Sequence, residues 1–170
     1  DGIEAVGFGI PCTFDSRTGM AVQAANAPLA DIRFHEVMAE RLGLPVVVDN
    51  DGNCAVLAEA RVGAAKGCSE VVLLTIGTGI GGGYIINGQP LRGLVSLEMG
   101  HIRLARDPQL DPFQGACPYH GDCFEGLAAG PAVEARFGQR GETLPDDHPF
   151  WDLESGYIAQ ALMNFILTLA

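Results

Sequence analysis

The stretch that most constrains this chain is Glu98–Glu125, EMGHIRLARDPQLDPFQGACPYHGDCFE. Cys117, His120 and Cys123 follow one another at intervals of three residues, and His101 lies sixteen residues upstream. Two thiols and two imidazoles in one loop suit a closed, tetrahedral zinc site. The competing reading is a loop with free thiols and surface histidines. A closed site folds the loop back on itself and draws Glu98 and Glu125, at its two ends, toward one place. Carboxylates so placed suit paired hydrogen bonds from vicinal hydroxyls, as on a sugar.

Composition narrows the setting. At 170 residues, 48% hydrophobic and with 23 glycines, the chain reads as a turn-rich α/β protein of one large domain or two small ones. Its net charge of −11 argues against nucleic acid or an anionic membrane as a partner, since both select basic surfaces. A small phosphate ligand stays open, because backbone amides and a cation hold one without basic side chains. Five cysteines, an odd number with two at ligand spacing, fit a reducing cytoplasm. Cys12, Cys54 and Cys68 read as small buried hydrophobes. The N-terminus lacks the basic region of a signal peptide, and Glu154, Gln160 and Asn164 interrupt the apolar C-terminal segment before it reaches membrane-spanning length.

Along the chain, AVGFGIP reads as a strand and MAVQAA as a further short one. Phe34, Val37, Met38 and Leu42 predict a helix over 32–42 that Gly43 stops. PVVVDND is a short buried strand, and an Ala-rich helix is expected over 55–65. EVVLLTI is another strand, with Asn87-Gly88 as a hairpin turn beyond it. Two short helices are expected around 128–137. A long one over 151–169 buries Leu153, Tyr157, Ala161, Phe165 and Leu169, with Leu162 and Ile166 beside them. The composition shift after the Ala-rich helix places a domain boundary near residue 61. His35 and His148 read as ordinary surface or helix residues.

Two further constellations carry chemistry. Asp49-Asn50-Asp51-Gly52-Asn53 falls where a buried strand gives way to a helix, the end at which open α/β sheets bind ligands. One reading is helix capping. In the other, Asp51 sits by the positive end of the helix dipole and accepts a proton from an alcohol that Asn50 helps hold. The run Thr75-Ile76-Gly77-Thr78-Gly79-Ile80-Gly81-Gly82-Gly83 matches GxGxxG as a string, but that fingerprint opens a helix and this run opens a hairpin. It is either a plain tight turn or a turn whose amides close on phosphate oxygens.

Taken in order, GFGIP, VVVDNDGNCAVLAE, LLTIGTGIGGGYIINGQ, EMGH and CPYHGDCFEGLAAG resemble the ROK family of sugar kinases. The resemblance implies an actin-like ATPase (ribonuclease H-like) α/β fold of the two-domain hexokinase type, incomplete at both ends. Residues 1–60 would close the small sugar-binding domain, and 61–170 would open the large one. It implies an ATP-dependent transfer of the γ-phosphoryl to the 6-hydroxyl of a hexose, fructose or glucose foremost. Asp51 is then the catalytic base, and Asn50, Glu98, His101 and Glu125 bind sugar hydroxyls. Thr75, Gly77, Thr78 and Gly79 meet the ATP phosphates. His101, Cys117, His120 and Cys123 hold a structural Zn2+, and Mg2+ accompanies ATP. Hexose and MgATP are the implied partners of a cytoplasmic homodimer.

The sequence departs from the common family pattern at several places. The loop reads Cys-x-x-His-x-x-Cys where many members have Cys-x-Cys-Gly-x-x-Gly-Cys, and SLEMGH replaces AGExGH. Both variants resemble the fructokinase branch. DSRTGMAV and VDNDGNC resemble glucokinases or N-acetylmannosamine kinases instead, and Cys12 stands where GxPG would place a glycine. The family's Asp-x-Gly-Gly-Thr phosphate loop and its glycine-rich adenosine segment do not occur in the sequence, so an internal piece of a longer kinase is expected. Two rivals are a sugar-responsive transcription regulator on the same fold and an inactive zinc-stabilised sugar-binding fragment. Against the first stand the presence of Asp51 and the acidic charge.

Overall fold

The computed structural model describes residues 2–15, 17–23, 28–29 and 31–169, which fold as two compact units. The first combines Asp1–Leu73 with Gly82–Leu97, and the second combines Leu74–Gly81 with Glu98–Ala170. Residue 61 falls inside the first unit.

In the first unit, β1 (Val6–Ile10) pairs in parallel with β4 (Val46–Asn50), in register from Val6 opposite Val46 to Ile10 opposite Asn50. A parallel pair needs a crossover, and it consists of the hairpin β2 (Thr13–Phe14) and β3 (Ala21–Gln23) followed by α1 (Phe34–Leu42). The predicted strand MAVQAA is thus β3 at Ala21–Gln23; Ala24 and Ala25 lie outside the described residues. Gly43 ends α1 in the left-handed conformation at φ 64°, where a residue without a Cβ is not strained. Phe8 meets Phe34 edge to face at 5.2 Å between ring centroids.

The second helix, α2, runs Asp51–Val62, four residues earlier than the sequence predicted. Asp, Gly and Asn are poor helix interiors, but at a first turn they suit the cap rather than the body. Beyond it come β5 (Val71–Ile76), β6 (Ile80–Ile86) and β7 (Gln89–Pro90) in one sheet. Asn87 and Gly88 both have positive φ, 51° and 72°, as the predicted hairpin turn demands.

Apart from the end of β5 and the start of β6, the regular elements of the second unit are helices. A 3-10 turn (Met99–His101) precedes α3 (Phe124–Ala128), α4 (Gly130–Phe137) and α5 (Phe150–Leu169). Val133, Leu144 and Phe150 form a buried cluster against which Trp151 and Leu153 pack. Phe124 and Leu127 are fully buried, each burial worth about 1.5–3 kcal/mol. Along α5 the buried line is Phe150, Glu154, Tyr157, Ala161 and Phe165, while Ile166 is exposed. The sequence placed Leu153 and Ile166 on that face and overlooked Glu154. No helix among the described residues is long and apolar enough to cross a membrane.

Candidate functional site

The DNDGN segment is built around one carboxamide. Asn50 has extended backbone, and its Oδ1 accepts from the N–H groups of Gly52 at 2.9 Å and Asn53 at 3.4 Å, which caps α2. Its Nδ2 donates to the Cys12 carbonyl at 3.1 Å and so ties the cap to the end of β1. The preceding Asp49 braces the same turn. Its Oδ1 accepts from the Asn50 N–H and from Asn53 Nδ2, and its Oδ2 pairs with Arg92 at 2.5 Å. Arg92 had no role in the sequence reading; nothing but its reach across 43 residues to Asp49 marks it.

These bonds leave Asp51 outside the capping scheme. Its side chain is exposed at the first position of α2 and, among the described residues, accepts only from the Gly52 N–H, at 2.9 Å. Gly52 is required because a Cβ there would overlap the Gly82 carbonyl oxygen. The capping reading of this segment is therefore met by Asn50. Burial first, and the Asp51 charge second, push the Cys12 thiol above its ordinary range. The expectation that three cysteines are buried holds for Cys12; Cys54 is half-buried and Cys68, in the connection after α2, is exposed. An open concavity of about 330 Å³ is lined by Ala60, Arg61, Cys68, Ser69 and Asn87 among others, and includes none of the predicted site residues.

In the second unit, Gly77–Gly79 is a turn between β5 and β6, not a helix start. The Gly77 N–H donates to the Gly79 carbonyl at 2.9 Å, and the Gly77 carbonyl accepts from the Gly130 N–H at 2.8 Å. Among the described residues the amides of Thr78 and Gly79 have no protein acceptor, so they are the donors the turn offers to an anion. Gly100, the glycine of EMGH, passes so close to the Ile80 carbonyl that a Cβ would overlap it. This close approach holds the 3-10 turn bearing His101 against the start of β6.

The four predicted metal ligands come together. His101 Nδ1 lies 3.5 Å from Cys123 Sγ and 3.7 Å from Cys117 Sγ, and His120 Nδ1 lies 3.8 Å from Cys117 Sγ. All four ligand atoms fall within 4.8 Å of one another. A tetrahedral zinc with ordinary bond lengths separates sulfur from nitrogen by about 3.6 Å, so the donor set fits such an ion as it stands. The knuckle is shaped by Cys117 and Gly121, which exchange backbone hydrogen bonds, and by Ala116, which donates to the Gly126 carbonyl. The Phe124 N–H donates to the Ile102 carbonyl at 2.9 Å and joins the two halves of the ligand set. His101 turns its other nitrogen, Nε2, toward Glu98 Oε2 at 3.9 Å. Glu98 is exposed and Glu125 half-buried.

Behind the knuckle lies a buried polar network that the sequence did not disclose. Asp111 Oδ2 pairs with Arg136 at 2.9 Å and accepts from Tyr157 Oη at 2.6 Å. The Arg136 guanidinium lies over the rings of Phe113 and Phe150. Arg106 donates to the carbonyls of Asp111 and Phe113 and pairs with Asp122 beside the ligand Cys123. Glu154 faces this network, and burial raises its carboxyl to about 7 despite the opposing pull of Arg136. The signal was available: Glu154 stands four residues after Phe150 and three before Tyr157.

The family model described as ROK family matches residues 1–169. A fructokinase from Lactococcus lactis subsp. cremoris is 41% identical over 173 aligned residues, 99% of this chain and 59% of that protein. A ROK family glucokinase from Streptomyces griseus, solved in complex with glucose and AMPPNP, is 36% identical with a TM-score of 0.66, covering 79% of this chain and 42% of that one. A ROK hexokinase from Thermus thermophilus is 30% identical with a TM-score of 0.75, covering 98% and 59%. The chain spans about half the length of the curated relatives it matches.

Proposed function

The chain belongs to the ROK family and has its actin-like α/β fold, and from that premise we propose that it carries the acceptor and phosphate sides of an ATP-dependent hexose 6-kinase. The observation that carries the reading is Asp51, an exposed carboxylate at the first position of α2 that shares the Gly52 N–H with the Asn50 cap through one oxygen only. Asp51 takes the proton of the 6-hydroxyl as that oxygen attacks the γ-phosphorus and ADP departs. Phosphoryl transfer has a loose transition state, so most of the work is positioning and charge stabilisation. Asn50, Glu98, His101 and Glu125 bind hexose hydroxyls. Thr75, Gly77, Thr78 and Gly79 form the phosphate turn, with the amides of Thr78 and Gly79 as its donors.

His101, Cys117, His120 and Cys123 would hold zinc, which supplies structure alone because four protein ligands leave no open position. Magnesium bound with ATP supplies charge neutralisation. Fructose is the first substrate to test, given the fructokinase relative, and glucose the second. In this reading the chain holds the end of the sugar-binding domain and the start of the larger one, in a cytoplasmic homodimer.

Coupled ADP-release assays with fructose, glucose, mannose and N-acetylmannosamine test it. Turnover is expected with fructose or glucose. Asp51→Asn should lower kcat about 10³-fold, within the usual range for a general base, with hexose KM changed only a few-fold. Turnover that survives this substitution overturns the assignment of Asp51.

A further inference from the structure

We propose that Glu125 is a positioning residue for the phosphate turn as well as a hydroxyl acceptor, so that hexose and nucleotide are coupled through one carboxylate. The proposal rests on the roles just given to Glu125 and to Gly77–Gly79.

Beyond the pairing of β5 with β6, three bonds among the described residues hold the turn. Gly77 closes it onto Gly79, and the Gly130 N–H at the start of α4 holds the Gly77 carbonyl at 2.8 Å. The third comes from a side chain: the Ile80 N–H, at the exit of the turn, donates to Glu125 Oε2 at 2.9 Å. It spans 45 residues. Glu125 itself stands on a rigid base, since Phe124, Gly126, Leu127 and Ala128 around it in α3 are all buried.

A carboxylate has two oxygens, and the turn uses one. Among the described residues Oε1 has no protein donor, so it is available for a hydroxyl. A hydroxyl donating to Oε1 removes the rotational freedom of the carboxylate and fixes Oε2 on the Ile80 N–H. The amides of Thr78 and Gly79, two and one residues before Ile80, are then held in a single arrangement before nucleotide arrives. Hexose binding thereby lowers the ordering required of the turn when phosphate binds, which is positive coupling.

Substitutions separate the two roles. Glu125→Gln keeps an acceptor oxygen of the right reach and loses the charge, whereas Glu125→Asp keeps the charge and withdraws the oxygen by one methylene. Glu125→Ala removes both. Hydrogen exchange of the Ile80 amide, read by NMR without any ligand, is expected to rise about tenfold in the Asp and Ala variants. It should stay within about twofold of the parent in Gln. The KM for MgATP should follow the same order, raised five- to tenfold in Asp and Ala and restored in Gln, while hexose KM rises in Gln and Ala. The amides of Leu127 and Ala128 report whether α3 is intact in each variant.

Ile80 exchange unchanged in both Asp and Ala would overturn the proposal. If the parent protein binds no nucleotide, the kinase reading fails, yet the Ile80 measurement still decides whether Glu125 holds the turn.

Discussion

The start of α2 and the Cys/His knuckle both carry carboxylates beside them, but they hold their polar side chains by different means. At α2 every positioning contact is a hydrogen bond from the chain itself: Asn50 to two amides and the Cys12 carbonyl, Asp49 to Asn53 and Arg92. That turn is complete without any ligand. In the knuckle, four side chains converge through sulfur–nitrogen separations of 3.5–3.8 Å, too long for strong hydrogen bonds and right for a shared cation. The first arrangement is closed by the chain's own bonds, and the second has the spacing of ligands around one ion. One chain therefore holds some polar groups by its own hydrogen bonds and, on our proposal, makes others conditional on a metal.

The contrast breaks most directly at the metal. One zinc per chain is expected on elemental analysis of the purified protein. Chelation, or Cys123→Ser, should destabilise the second unit by at least about 3 kcal/mol, because the free energy of a structural zinc is folding free energy. Amide exchange then rises across 98–126 and leaves 46–56 protected. Metal-free protein whose knuckle amides remain as protected would erase the distinction between the regions.

Much of this was legible in the sequence, and the failures have physical causes. The convergence of Cys117, His120 and Cys123 was readable because their spacing is a local property, and His101 joins them. The hairpin at Asn87-Gly88 was readable because positive φ at two successive positions restricts residue type. The true start of α2 was not, since Asp51 and Gly52 are weak helix formers and only the Asn50 cap admits them. Nor was the Asp111–Arg136–Tyr157 network, whose members lie 21 to 46 residues apart. Glu154 was passed over because periodicity counts apolar residues, and it is the one acidic residue on the buried line of α5.

Glu154 also sharpens the contrast, since the second unit buries a carboxyl where the first leaves Asp51 exposed. Its carboxyl is raised from 4.5 to about 7 by burial. Between those values the folded chain keeps a proton that the unfolded chain has released, so stability falls as pH rises through the window. The full penalty is present above about pH 7, on the order of 2 kcal/mol after allowance for partial solvation. Glu154→Gln should melt higher than the parent at pH 8 and converge with it near pH 4.5. Parallel melting curves for the two proteins across that range would show that the carboxyl is solvated instead.

The smallest effect tests the self-sufficient side. Asn50→Asp keeps the oxygen that caps Gly52 and Asn53 but loses the donor to the Cys12 carbonyl and adds a charge between Asp49 and Asp51. Asn50→Ala loses cap and tie together. If the turn is held by its own hydrogen bonds, the Ala variant should lose about 1.5 kcal/mol in chemical denaturation, whether or not metal is present. Independence from metal is the decisive part, because a cost that appears only in the metal-loaded protein would mean that the start of α2 is conditional too. The exposed Asp51 would then owe its position to the knuckle rather than to the helix cap.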